Sequence, residues 1–201
     1  MGSVDGDLLL TLVEAQLLSA FGEDSGRAGV SFLGTQQIDV LRFGPDPEGT
    51  VRYATLGMSR HPMGDPGVGL VAEDGPRAEL VLTVRDRHDD VLRRLAVLAA
   101  SPSVEGLVIA PGAGLDVGEP LWDGAPFTAV LVGEPGGLVP DLATEEGQEP
   151  VRFLPLLPMT PSEAAWKRVH GALALEQRWL DHGTDLRDPR RAQVPLARPD
   201  A

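Results

Sequence analysis

Ala78-Glu79-Leu80-Val81-Leu82-Thr83-Val84 repeats at a period of two: Ala78, Leu80, Leu82 and Val84 share one face, while Glu79 and Thr83 share the other. That period predicts a strand with one side on a core. Residues 51–58, 104–110, 127–132 and 151–154 also read as strands, and the less regular run 37–43 is apolar enough to be buried on both faces. Three segments carry helical spacing. In 5–21, Leu9, Leu10, Val13, Leu17 and Phe21 recur every three to four residues before Gly22. In 89–100, Val91, Leu92, Leu95, Leu98 and Ala99 form a stripe that starts at Asp89-Asp90 and stops at Ser101-Pro102. The third begins with Thr160-Pro161-Ser162-Glu163, a capping box with proline at the first helical position. Ala165, Trp166, Val169, Leu173 and Leu180 form its predicted core stripe, widened by Leu175 and Trp179, and Gly171 marks a kink or a close approach.

Strands in series, with helices at both ends and one in the middle, predict an α+β fold. The expected architecture is a central, mostly antiparallel or mixed sheet of five or six strands with about three flanking helices. The chain reads as one unit over 1–201, with its core at about 38–180 and an extended C-terminal tail at 183–201. Two long loops rich in Gly and Pro, 61–76 and 133–150, interrupt it. The first holds few large apolar residues and is expected to be mobile.

Composition narrows the functions. Among 201 residues, 42% are hydrophobic, enough for a core. No cysteine is present, which excludes disulfides, thiol catalysis and thiolate metal sites and suits a reducing, cytoplasmic setting. The net charge of −13 argues against nucleic acid, because phosphate backbones bind clustered Lys and Arg. Arg93-Arg94 and Arg190-Arg191 are pairs of the kind usually solvated on a helix or tail. The apolar run 8–13 is far short of the roughly twenty residues that span a bilayer, so no membrane partner is expected.

Catalytic and cofactor motifs fail on inspection. Gly57-Met58-Ser59-Arg60-His61 follows a strand as a nucleophile elbow would, but His61 replaces the second glycine and Pro62 replaces the helix. His61, His88, His170 and His182 contain no metal-binding helical pair, and Asp86, Asp89 and Asp90 lack the spacing of a calcium loop. Gly112-Ala113-Gly114 has neither the third glycine nor the helix of a dinucleotide fingerprint. No metal and no cofactor is expected.

Three runs taken together are more specific. They are Asp39-Val40-Leu41-Arg42-Phe43-Gly44-Pro45, then Tyr53-Ala54-Thr55-Leu56-Gly57-Met58-Ser59-Arg60-His61-Pro62-Met63, then Arg77-Ala78-Glu79-Leu80-Val81-Leu82. In order and spacing they resemble the suppressor of fused-like family, whose bacterial members carry a T-x-G-M-S segment, a nearby P-M and an A-E-L strand. Residues 153–163, with their prolines and Glu163, resemble its late strand, proline turn and helix start. The resemblance covers about 38–179 and implies an α+β fold with a central sheet and no known catalysis. Animal members bind a transcription factor peptide between two domains, and this chain has the length of one. Bacterial relatives are associated with toxin–immunity systems. Thr55, Gly57, Met58, Ser59, Pro62, Met63, Glu79 and Glu163 carry the resemblance, as fold determinants or as contacts. As fold determinants, Gly57 supplies a positive φ at a strand end, Met58 fills core and Glu163 caps a helix.

The expected function is a non-catalytic protein-binding module, an immunity protein that neutralises a toxin. An acidic chain attracts a basic toxin domain, and Glu145, Glu146 and Glu149 are the expected contacts. Two alternatives stand beside it: a regulatory scaffold in a housekeeping complex, and a hydrolase using Ser59 or the carboxylates Glu79 and Asp86. Oligomeric state is not legible from these features.

Overall fold

A computed structural model describes residues 3–31, 36–64, 75–144 and 148–196. Residues 65–74, most of the 61–76 loop expected to be mobile, lie outside the described residues, as do Glu145 and Glu146. The order of elements is α1 (Ser3–Phe21), β1 (Asp24–Val30), β2 (Ile38–Phe43), β3 (Thr50–Leu56), a 3-10 turn (Met58–Arg60) and β4 (Arg77–Arg85). Then come α2 (Asp90–Glu105), β5 (Gly114–Asp116), β6 (Ala129–Val132), β7 (Val151–Met159), α3 (Pro161–His170) and α4 (Ala172–Asp181). The fold is α+β. Among the described residues seven strands form one mixed sheet in the order β1-β2-β3-β4-β7-β6-β5, antiparallel except where β4 and β7 run parallel.

The alternating run Ala78–Val84 is the centre of this sheet. Leu80, Leu82 and Val84 of β4 face α2, together with Val51 and Tyr53 of β3 and Leu154 and Leu156 of β7. Val81 faces the other way, with Leu41, Phe43, Phe153 and the α1 residues Val13 and Leu17. On that second side, α3 and α4 cover Ala129, Leu131 and Met159 through Ala164, Leu175 and Trp179. Helices therefore close both faces, with α2 on one and α1, α3 and α4 on the other. No helix among the described residues is long and apolar enough to cross a membrane.

Five differences from the sequence reading have physical causes. The sheet has seven strands instead of five or six, because β1 and β5 form without any apolar alternation: each pairs with one neighbour at a sheet edge. Residues 104–110 are not a strand, and α2 continues through Pro102 to Glu105. Proline lacks the N–H that would reach Leu98 O, and the Ser101 hydroxyl donates to that carbonyl instead. The strand expected at 151–154 runs on to Met159 through Pro155 and Pro158. Its pairing with β4 stops at Leu156, so Pro158 lies past the end of that ladder. The third helix breaks at Gly171 (φ 90°, ψ 165°) into α3 and α4, making four helices among the described residues. The expected stripe misses the core on both sides of the break: Ala165 and Val169 of α3 and Leu173 and Leu180 of α4 face solvent, while Ala164, Leu175 and Trp179 are buried.

The fifth difference is the tail. Residues 183–196 are irregular, as expected, but they fold back against the C-terminal ends of β4 and β7, past the last pair of that ladder. Arg85 N–H donates to Arg187 O, Arg191 donates to Pro158 O, and both Arg191 and Val194 are buried.

Candidate functional site

The residues that carry the family resemblance collect around two buried carboxylates. Glu79 enters from β4 and is fully buried. Its Oε2 accepts from Thr55 Oγ1 at 2.6 Å, and its Oε1 accepts from Gly57 N–H at 2.9 Å, Ser59 N–H at 3.0 Å and Ser59 Oγ at 2.6 Å. Thr55 Oγ1 in turn accepts the Leu80 N–H at 2.8 Å. Every one of these donors is neutral, and two are backbone groups at the start of the 3-10 turn. The carboxylate therefore sets the path of the chain as it leaves β3.

Gly57 makes that exit possible. Its φ is 137°, and a Cβ there would sit 3.0 Å from Gln37 O and 3.2 Å from Ile38 Cα. Left-handed backbone costs an L-residue about 1–2 kcal/mol before any clash. Gly57→Ala is therefore expected to lower stability by about 2 kcal/mol, read as a drop in the urea midpoint without a change in slope. Met58 and Met63 are buried beside the turn, and Pro62 is half-buried. Met63 Sδ accepts the Ile109 N–H at 3.4 Å, which ties this turn to the chain leaving α2.

Glu163 is the second carboxylate, also fully buried. It closes the capping box: its Oε2 accepts the Thr160 N–H at 2.9 Å, and its own N–H donates to Thr160 Oγ1 at 3.2 Å. Arg191 then approaches from the tail as a two-pronged partner, at 2.7 Å to Oε1 and 2.8 Å to Oε2. Trp179 Nε1 at 3.3 Å and Val194 N–H at 3.1 Å complete the set. The guanidinium also stands over Phe127 at 4.8 Å and Trp179 at 5.5 Å. Burial pushes the Glu163 carboxyl up, but Arg191 and the Thr160 and Val194 N–H groups outweigh it and hold the group below its ordinary range.

The eight motif residues thus fall into two clusters: seven around Glu79 and the turn that follows β3, and Glu163 with the tail. Arg191, read from sequence as a solvated cation, is the buried partner of the second. Its isolation among tail residues gave no signal, because only the folded tail brings it to Glu163. Ser59 has no exposed surface, and its hydroxyl donates to Glu79. His61 lies near Arg60 and Arg77, and burial with those charges pushes its pKa down. Among the described residues no group of three His, Asp or Glu is placed to hold a metal.

Surface features complete the picture. Past the end of α2, Ile109 turns inward while Leu107 and Val108 are 41% and 52% exposed, close after Val104 at 59%. Residues 106–110 belong to no strand. Glu149, the one described member of the acidic triad, is exposed, and its carbonyl accepts from Thr144 Oγ1 at 3.0 Å.

Comparison with known proteins gives one consistent answer. The family model described as Suppressor of fused protein (SUFU) matches residues 34–192. A suppressor of fused homologue from Neisseria gonorrhoeae superposes with a TM-score of 0.68 at 20% identity, over 91% of this chain and 94% of that one. A chain of the Sufu–Fu complex gives 0.64 at 13% identity, over 92% and 91%. Drosophila Suppressor of Fused gives 0.63 at 13% identity over 90% of this chain, which spans 50% of that protein. No curated protein sequence matches.

Proposed function

The chain belongs to the suppressor of fused family, and from that premise we propose that it is a protein-binding module that docks a partner and turns over no substrate. The observation that carries this reading is the apolar segment after α2, where Leu107 and Val108 are exposed on chain that no strand pairs among the described residues. Exposed apolar side chains on backbone outside any strand suit an extended segment of another protein, which supplies hydrogen bonds and fills the surface at once. Ile109 and Met63 hold that segment against the turn organised by Glu79, so the motif residues act as its support. A protein of this fold is known in the Sufu–Fu complex.

The family motif also argues against the hydrolase alternative. A serine nucleophile needs an accessible hydroxyl with a base in reach, whereas Ser59 is enclosed and spends its proton on Glu79. Glu79 in turn is occupied by four donors.

The finer reading is an immunity protein whose partner is a basic toxin domain. The net charge of −13 supports it, and Glu145, Glu146 and Glu149 are the proposed steering contacts. Charges of this kind act over roughly 8 Å at physiological ionic strength. Replacing all three by Gln is expected to slow association and flatten its salt dependence while leaving the melting temperature unchanged. Stopped-flow binding across a salt series checks this; an association rate indifferent to both salt and the triple change assigns the contact to apolar surface alone. Co-expression with each protein encoded beside the gene tests the toxin role itself: relief of growth arrest supports it. A stoichiometric partner whose expression is harmless favours the regulatory scaffold.

A further inference from the structure

Arg191 fills a socket that other parts of the chain build around it. Its guanidinium meets the Glu163 carboxylate of α3, the Pro158 carbonyl of β7, the Phe127 ring ahead of β6 and the Trp179 ring of α4. None of these four groups belongs to the tail. The carboxylate is also fixed from its own side, because the Thr160 N–H and Trp179 Nε1 donate to it. A two-pronged carboxylate, a carbonyl and two aromatic faces suit a planar guanidinium and not a compact ammonium.

The tail brings the socket two things: Arg191 and, three residues on, Val194, whose N–H donates to Glu163 Oε1 and whose side chain is buried. Its other ties are slighter. It leaves α4 at Gly183 (φ 57°) and has no helix or strand through residue 196. One main-chain bond joins it to the sheet, from Arg85 N–H to Arg187 O, beside the half-exposed pair of Arg85 and Asp185. Leu186 and Leu196 are only half-buried. The fit is also imperfect, since Arg191 Nε is buried and has no acceptor among the described residues. A buried donor left unmatched carries a cost.

We infer that the tail is an internal ligand, and that its socket takes an arginine-bearing extended segment of another protein, of the pattern Arg-x-x-Val, when the tail swings out about Gly183. The net charge of −13 draws a cationic segment in. The seated tail keeps the site closed, and being tethered it competes from a high local concentration. An outside segment therefore binds the wild-type chain more weakly than a chain whose own arginine is gone. The inference rests on the reading of this chain as a protein-binding module, but not on the segment after α2. Leu107→Asp/Val108→Asp is expected to leave this site unchanged, so either site can fail alone.

The test titrates a synthetic peptide of residues 184–196 into the full chain carrying Arg191→Ala. Saturable binding and a raised melting temperature are expected, with binding to the wild-type chain at least about tenfold weaker. The same peptide carrying Arg191→Ala is expected not to bind. If the Arg191→Ala chain does not fold, Arg191→Lys, which keeps the charge, replaces it as host with the same expectations. Absence of binding, or equal binding of the arginine and alanine peptides, overturns the inference. Hydrogen exchange on the wild-type chain tests the release itself: the Val194 N–H is expected to exchange at least about tenfold faster than those of Leu80 and Leu82 in β4. Equal rates would mean that the tail leaves only when the sheet unfolds, which also overturns it.

Discussion

Arg191→Met is expected to lower the unfolding free energy by about 3–5 kcal/mol, because it leaves Glu163 buried without its cationic partner. The loss is larger than the exposed ion pairs of this chain can account for, since those are worth about 0–1 kcal/mol each. Replacing both partners is expected to cost less than the sum of the single changes. It still does not return to wild type, because Thr160 N–H, Val194 N–H and Trp179 Nε1 lose their acceptor. Urea titration of the two single variants and the double variant measures this. Single-change losses that add without coupling would mean that the tail is held by Val194 and its apolar neighbours.

The same pair sets a pH dependence. Glu163 is held below its ordinary value in the folded chain, whereas in the unfolded chain it titrates near about 4.3. The unfolded state therefore takes up the proton first as pH falls. The stabilisation is complete above the unfolded value and drains away as pH drops toward the folded one. Glu163→Gln is expected to be less stable at neutral pH and to show a flatter acid limb than wild type.

Glu79→Ala is the second large effect, expected at about 3–5 kcal/mol. Four donors lose their acceptor in a site closed to water, and hydrogen bonds to a charged group are each worth about 1.5–3 kcal/mol. The contributions do not add, since the freed turn relaxes. Ser59→Ala removes one donor and is expected to cost about 1–2 kcal/mol, leaving Glu79 with its two backbone N–H bonds and the Thr55 hydroxyl. The pair of variants separates support from contact. If the turn is a support, Ser59→Ala lowers stability and leaves partner affinity within a factor of about two at temperatures where it is folded.

How much of this was legible in the sequence depends on how local the cause is. The Ala78–Val84 alternation and the Thr160–Glu163 box are written in neighbouring residues, and the structure has a strand and a capped helix there. β1 was not legible, because Asp24–Val30 has two glycines and no apolar period; it is a strand only because β2 offers it a ladder. Pro102 misled because the Ser101 hydroxyl takes over the carbonyl its missing N–H would have reached, and the strand read as ending before Pro155 runs on because Pro155 is held in the ladder opposite Val81. Ala165, Val169, Leu173 and Leu180 follow the helical period of a core stripe, yet all four face solvent, before the break at Gly171 as well as after it. Periodicity alone does not tell which apolar positions meet the core. The tail's role depends on a contact between residues 28 apart in sequence, and nothing near Arg191 announces Glu163.

The central claim is that binding lives on the apolar segment after α2, with the motif residues beneath it. Calorimetric titration of the purified chain against each protein encoded beside its gene tests this most directly. The account predicts saturable binding by one of them. In the Leu107→Asp/Val108→Asp double variant, affinity should fall by at least about tenfold, or about 1.4 kcal/mol, with an unchanged melting temperature. Binding that survives the double change undiminished, or no saturable heat with any of them at about 100 μM, would contradict it.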